Sequence, residues 1–174
     1  MAPASAPTRK QHPVRIATAV LIPAALIGLV AGCGDSDDST LTKAQVISLG
    51  GAICKQAESR VDDLPEVPGN PFGPGSTAKE HRQGRAFLRG YADALDYSRQ
   101  GLSKLEAPDQ DRDLLEGYLR DTSTVVDELR TAATAGRDRA LVQAQRAFRL
   151  FEQASKQTAE YGFPKGVCGA GGSS

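Results

Sequence analysis

The chain has 174 residues, with 21 Lys+Arg balanced by 21 Asp+Glu and no tryptophan, which leaves room for one small domain with its own core. Arg9, Lys10 and Arg15 precede Cys33 and no acidic residue does, so the remainder carries 18 basic against 21 acidic residues, a net charge of −3. A weakly acidic domain with interspersed signs offers no basic stripe to neutralise phosphates, and only Phe and Tyr are present to stack on bases, which argues against nucleic acid as a partner.

The first segment reads as an address. Residues 1–15 hold the cationic start, and Ile16 to Val30 is an uncharged run of fifteen residues followed by the small pair Ala31 and Gly32. This is the anatomy of a cleaved signal peptide over residues 1–32. A spanning helix needs about 20 apolar residues to cross a hydrocarbon core of ~30 Å, and this run is shorter and contains Pro23, so an uncleaved anchor is the weaker reading.

Val30-Ala31-Gly32-Cys33 resembles the lipobox of bacterial lipoproteins. The resemblance implies that the Cys33 thiol receives a diacylglyceryl group, that cleavage falls on its amino side, and that the membrane, through this anchor, is a partner. The protein would then sit on the extracytoplasmic face of the cell membrane. The alternative is an ordinary secretory cleavage site followed by an unrelated cysteine. Cysteine parity argues against it, because three cysteines in an oxidising compartment leave one odd thiol, whereas a lipidated Cys33 leaves Cys54 and Cys168 as a pair. Two acyl chains suffice for stable anchoring. The following Gly34 to Thr40 contains three Asp and no large apolar residue, so residues 33–40 form a lipidated cysteine and a flexible tether.

Residues 41–169 predict four helices. Thr42 and Gln45 form a capping box with Leu41 and Val46 as its hydrophobic staple, and Val46, Leu49, Ile53, Ala57, Val61 and Leu64 recur at helical spacing. Gly50 and Gly51 weaken this helix locally, marking a close helix contact or nothing at all. Pro65 to Ser76 has four prolines and three glycines, which predicts an exposed loop. Thr77 and Glu80 form a second capping box before a stripe of Leu88, Tyr91, Leu95, Ser98, Leu102 and Leu105.

Pro108 is expected to end the second helix and to lie in the first turn of the third, with Asp109 and Asp111 favourably placed at the positive end of the helix dipole. The third stripe is Leu115, Tyr118, Thr122, Val125, Leu129 and Ala132. Gly136 is expected as a left-handed cap closing the third helix and Asp138 as the cap of the fourth. Leu141, Ala144, Phe148, Phe151 and Ser155 mark its face before Gly162 and Pro164 stop it. Short turns make antiparallel neighbours, so the expected fold is all-α, an antiparallel up-down-up-down four-helix bundle, with residues 170–174 a disordered tail.

Cys54 lies twelve residues past Thr42, a height of ~18 Å at 1.5 Å per residue. The six residues from Gly162 to Cys168 reach at most ~21 Å if the tail runs back along the bundle. A Cys54–Cys168 disulfide stapling the bundle is therefore feasible, with two buried free thiols as the alternative. The stretches LTKAQVISLGGAICKQAE, the Ala-Gly-Arg-Asp turn and YGFPKGVCG resemble those of a loose group of actinobacterial lipoproteins and secreted helical proteins. That resemblance spans roughly Leu41 to Gly169 and implies the same fold and disulfide, without adding a reaction.

Chemistry is sparse. After cleavage, His81 is the only histidine and no methionine remains, so the axial ligands of haem, the paired Glu-x-x-His of di-iron bundles and a zinc set are all lacking. No cofactor and no metal is expected. His81 among Lys79, Glu80 and Arg82 reads as solvated surface, and no nucleophile elbow or phosphate loop is present. Tyr91, Tyr97, Tyr118 and Tyr161 could line a pocket, although Tyr91 and Tyr118 fall on core stripes. Asp109, Asp111, Asp113 and Glu116 could hold a cation, although Arg112 interrupts them and an exposed charged face explains them as well. The expectation is a lipid-anchored extracytoplasmic helical protein without catalytic activity that binds or supports an envelope protein. The alternative is a carrier of a small apolar ligand or lipid within the bundle, gated by the Pro/Gly loop.

Overall fold

A computed structural model describes residues 40–67 and 69–169. The signal segment, Cys33 and most of its tether, and the tail 170–174 lie outside the described residues. Four helices follow in order: α1 (Lys43–Asp62), α2 (Ala78–Leu102), α3 (Asp109–Thr134) and α4 (Arg137–Tyr161), with no strand among the described residues. No described helix is long and apolar enough to cross a membrane.

Both capping boxes form. The Gln45 N–H donates to Thr42 Oγ1 at 3.3 Å and the Thr42 N–H to Gln45 Oε1 at 2.8 Å. Thr77 and Glu80 repeat the exchange at 3.2 and 2.6 Å, and these bonds from Thr77 hold the Glu80 carboxyl below the usual carboxylate range. Leu41 and Val46 pack into one apolar cluster, as a staple requires.

Contacts across the bundle run in opposite chain directions. Gly50 of α1 abuts Leu102 of α2, whereas Leu64, just past α1, abuts Gly90. Arg85 Nε of α2 donates to the Ala133 carbonyl at 2.5 Å, and Arg130 of α3 reaches Asp96 at 3.1 Å. Gln157 of α4 donates to Asp121 of α3 at 2.8 Å, and Arg146 pairs with Glu128 at 3.4 Å. The start of α1 meets the end of α4, where Lys43 Nζ lies 5.0 Å from the Tyr161 ring centre. The bundle is therefore up-down-up-down. Burial alone would raise the Asp96 carboxyl, but hydrogen bonds and charge from Arg99 and Arg130 hold it below its ordinary value.

Several local expectations are corrected. α2 stops at Leu102, not at Pro108, and Leu105 packs from the turn that follows. Pro108 is the N-cap of α3, so it lies before the first helical turn. Gly136 has φ −64° and is the N-cap of α4, not a left-handed cap, while Ala135 closes α3 and Asp138 sits inside the first turn of α4 without capping it. Two backbone N–H···O bonds from Ala135 to Thr131 and Ala132 close α3 without needing a positive φ. Leu49 and Phe148 are exposed at 46% and 41%. On α1 the expected Val46 and Ala57 are buried, together with Gly50 and Cys54, and on α4 the expected Ala144 and Ser155 are buried, together with Ala140, Ala147, Ala154, Thr158 and Tyr161. Small residues let the backbones approach, which rotates the larger side chains to the margins.

The four helices differ in length. α1 has 20 residues and α2 has 25, a deficit of about 7 to 8 Å at 1.5 Å per residue. The Pro/Gly loop fills the missing corner: Phe72 and Gly73 are buried, and Phe72 joins the core cluster of α2, α3 and α4. The loop is therefore a plug with an exposed rim, where composition predicted an exposed loop throughout.

The C-terminal strap, Phe163 to Gly169, fills the other gap, between α1 and α4. Gly162 has φ 104° and caps α4, a conformation open to glycine at little cost. Phe163 then lies against Gly50 and Val167 near Gly51; of the two glycines of α1, Gly50 marks a close approach, to Phe163 of the strap and Leu102 of α2, whereas Gly51 has room for a Cβ. Cys168, with φ 53°, turns the chain so that its sulfur bonds to Cys54 with Cα atoms 5.1 Å apart.

Candidate functional site

The disulfide borders a region where all four helices and the strap face a common space. Cys54 and Cys168 are 1% and 5% exposed, and the Thr158 hydroxyl donates to Ser155 O at 2.7 Å and to Cys168 O at 3.3 Å. Those bonds tie the strap to α4 while the disulfide ties it to α1.

Beside the bond is a half-open cavity of about 200 Å³, walled by Ala57 and Glu58 of α1, Tyr91, Ala94, Leu95 and Ser98 of α2, Tyr118 of α3, Phe151 of α4, and Gly166, Cys168 and Gly169 of the strap. Its lining is mainly apolar. Tyr91 and Phe151 meet edge to face with centroids 6.4 Å apart. The Ser98 hydroxyl donates to Leu95 O at 2.8 Å, which leaves its oxygen lone pairs available as acceptors. Burial pushes the Tyr118 phenol up to about 12 and raises that of Tyr91 as well, so both are hydrogen-bond donors at neutral pH.

Of the four tyrosines considered from the sequence, the structure brings Tyr91 and Tyr118 to this cavity. Tyr97 is elsewhere, its hydroxyl donating to Gln56 and its ring carrying Arg60 at 3.9 Å. Tyr161 is buried at the end of the bundle beside Phe163 and Lys43, where burial and the nearby Asp111 raise its phenol. Ser98, Phe151 and the strap glycines were not singled out as lining residues by pattern, because nothing in a helical stripe reports which positions face a void.

The acidic residues of α3 separate. Asp109 pairs with Arg112 at 2.5 Å, Asp111 is half-buried and pairs with Lys43 at 3.1 Å, and Asp113 and Glu116 are exposed. No group of three metal-ligating side chains converges among the described residues. His81 is half-buried rather than solvated, its ring edge-on to Phe72 at 5.3 Å.

A second depression of about 470 Å³ lies between the plug loop, α2 and α4, lined by Phe72, Phe87, Leu141 and Phe148 among others. Tyr91 connects the two: it stacks on Phe87 at 6.0 Å and meets Phe148 edge to face at 5.6 Å. The Pro/Gly loop thus borders the outer depression and not the cavity beside the disulfide, one wall of which is the strap. No protein-family model, curated protein or solved structure matches this chain.

Proposed function

We propose that the protein is a lipid-anchored binding protein of the extracytoplasmic face of the cell membrane, and that it does not catalyse a reaction. The observation that carries this reading is the Cys54–Cys168 bond. A buried structural disulfide belongs to an oxidising compartment, and it uses two of the three cysteines, leaving Cys33 in its lipobox-like context as the one without a partner in the chain. Thioether formation accounts for that odd thiol. The mass of the intact protein from its native membrane fraction, before and after reduction and alkylation, is the test. A chain starting at Cys33 with a diacylglyceryl group, and two thiols alkylated only after reduction, is expected. A soluble, unlipidated chain with a third alkylatable cysteine would refute the anchor.

The half-open cavity beside the disulfide favours a second reading within the same class, that the bundle carries a small apolar ligand. Apolar cavities with a few convergent polar groups are common ligand sites. Organic extraction of protein purified from its own membrane, followed by mass spectrometry, is expected to release one stoichiometric small molecule.

A further inference from the structure

We infer that the cavity beside the disulfide is a binding site for a compact, single-ring apolar molecule that carries one hydrogen-bonding group. The inference rests on the ligand-carrying reading above and specifies its ligand.

Size comes first. Protein interiors seldom leave voids larger than a water molecule, and an apolar cavity of about 150 Å³ accepts benzene. At about 200 Å³ this one holds a six-membered ring with one or two further heavy atoms. The space persists because the helix positions lining it include the small, buried residues Ala57 and Ala94, whereas Gly169 packs directly against Phe151.

Shape and chemistry follow from the larger residues. Tyr91, Tyr118 and Phe151 present aromatic surface, and ring edges and faces pair favourably with another ring. Tyr91 and Tyr118 bring phenol groups to the lining, the latter also hydrogen-bonded to the Thr122 side chain, and Ser98 an acceptor, while the carboxylate of Glu58 stands at the exposed side. A ring without a polar substituent would leave these groups unanswered, and a charged ligand would lose its hydration without a buried counter-ion.

The cavity opens to solvent beside the exposed residues Glu58 of α1 and Gly166 of the strap.

The probes are phenol and benzene, titrated into the full oxidised chain carrying Cys33→Ser, which changes no residue of the bundle and removes acyl chains that would absorb apolar probes. Methyl resonances of Ala57, Ala94 and Leu95 report occupancy. Saturable shifts are expected with phenol at roughly 0.1–1 mM, the range that its few heavy atoms allow. Tyr118→Phe is expected to weaken phenol about tenfold and leave benzene unchanged. Ala94→Leu, checked for folding by its melting curve, is expected to abolish both.

The absence of saturable shifts with either probe up to 10 mM would overturn the proposal, as would a folded Ala94→Leu variant that binds like wild type. Equal weakening of phenol and benzene in Tyr118→Phe would overturn the hydrogen-bonding component. Decanoate shifting the same methyls when phenol does not would overturn the single-ring class and leave the carrier reading standing. The anchor reading stands or falls on the mass at Cys33, which none of these titrations touches.

Discussion

Replacing both Cys54 and Cys168 with alanine should be the most destabilising change available that leaves every helix intact. The bond closes a loop with a sequence separation of 114, and in the chain-entropy model a loop of that length restrains the unfolded chain by about 5 kcal/mol. For a domain of roughly 130 residues this corresponds to a fall in melting temperature of about 15–20 °C. The buried sulfurs add a packing loss, because Cys54 and Cys168 join the cluster of Val46, Leu102, Tyr118 and Phe163. Urea unfolding of the double variant, followed by circular dichroism beside the oxidised wild type, measures the effect. The slope against urea should also rise, since the unlinked unfolded chain exposes more surface. A melting temperature within about 5 °C of wild type would refute the claim that the bond, rather than the packing of Phe163 and Val167, holds the strap.

The adjacent glycines of α1 should respond with opposite signs. A Cβ at Gly50 would fall 2.8 Å from Leu102 and 2.9 Å from the Phe163 ring, so Gly50→Ala should cost about 1–3 kcal/mol by overpacking. At Gly51 the nearest atom is 3.8 Å away, so Gly51→Ala should stabilise by about 0.5–1 kcal/mol through the helix backbone; denaturant midpoints for the pair decide both. Thr77→Ala removes the bond to the Glu80 N–H and should cost about 1 kcal/mol, seen as a lower melting temperature. Stability should fall at alkaline pH: the Tyr118 phenol is raised from 10 to about 12 by burial, so between those values the unfolded chain loses a proton that the folded chain keeps. Its contribution is fully present below pH 10 and declines by about 2–3 kcal/mol on approach to pH 12. Tyr118→Phe should flatten that limb in urea titrations at pH 7, 10 and 11.5.

What could be read without coordinates was the chemistry that is local in sequence. Thr42 with Gln45, and Thr77 with Glu80, specify a helix start within four residues, and both form. Helical stripes identified α2 and α3 because their buried faces are built from large side chains such as Leu88, Leu95, Val125 and Leu129. The same method found α1 and α4 but only part of their buried faces, missing Gly50, Cys54, Ala140, Ala147 and Ala154, residues that hydrophobic periodicity weighs little. Phe72 was hidden by its Pro/Gly surroundings, although it is 6% exposed. The disulfide was legible by arithmetic, since setting Cys33 aside left a single pair. The cavity was not legible, because its lining comes from five segments that no spacing relates.

The bond between Cys54 and Cys168 also decides how the bundle carries load. Tension applied between the two ends of the described chain runs along α1 from Lys43 to Ile53, crosses the disulfide and leaves through Gly169. All of α2, α3 and α4 lie inside the closed loop, so no force passes through them. Only the first three turns of α1 can be drawn out, an extension of about 20 Å as helix becomes extended chain. The aromatic walls of the cavity, Tyr91, Tyr118 and Phe151, therefore lie off the path along which the chain ends are pulled.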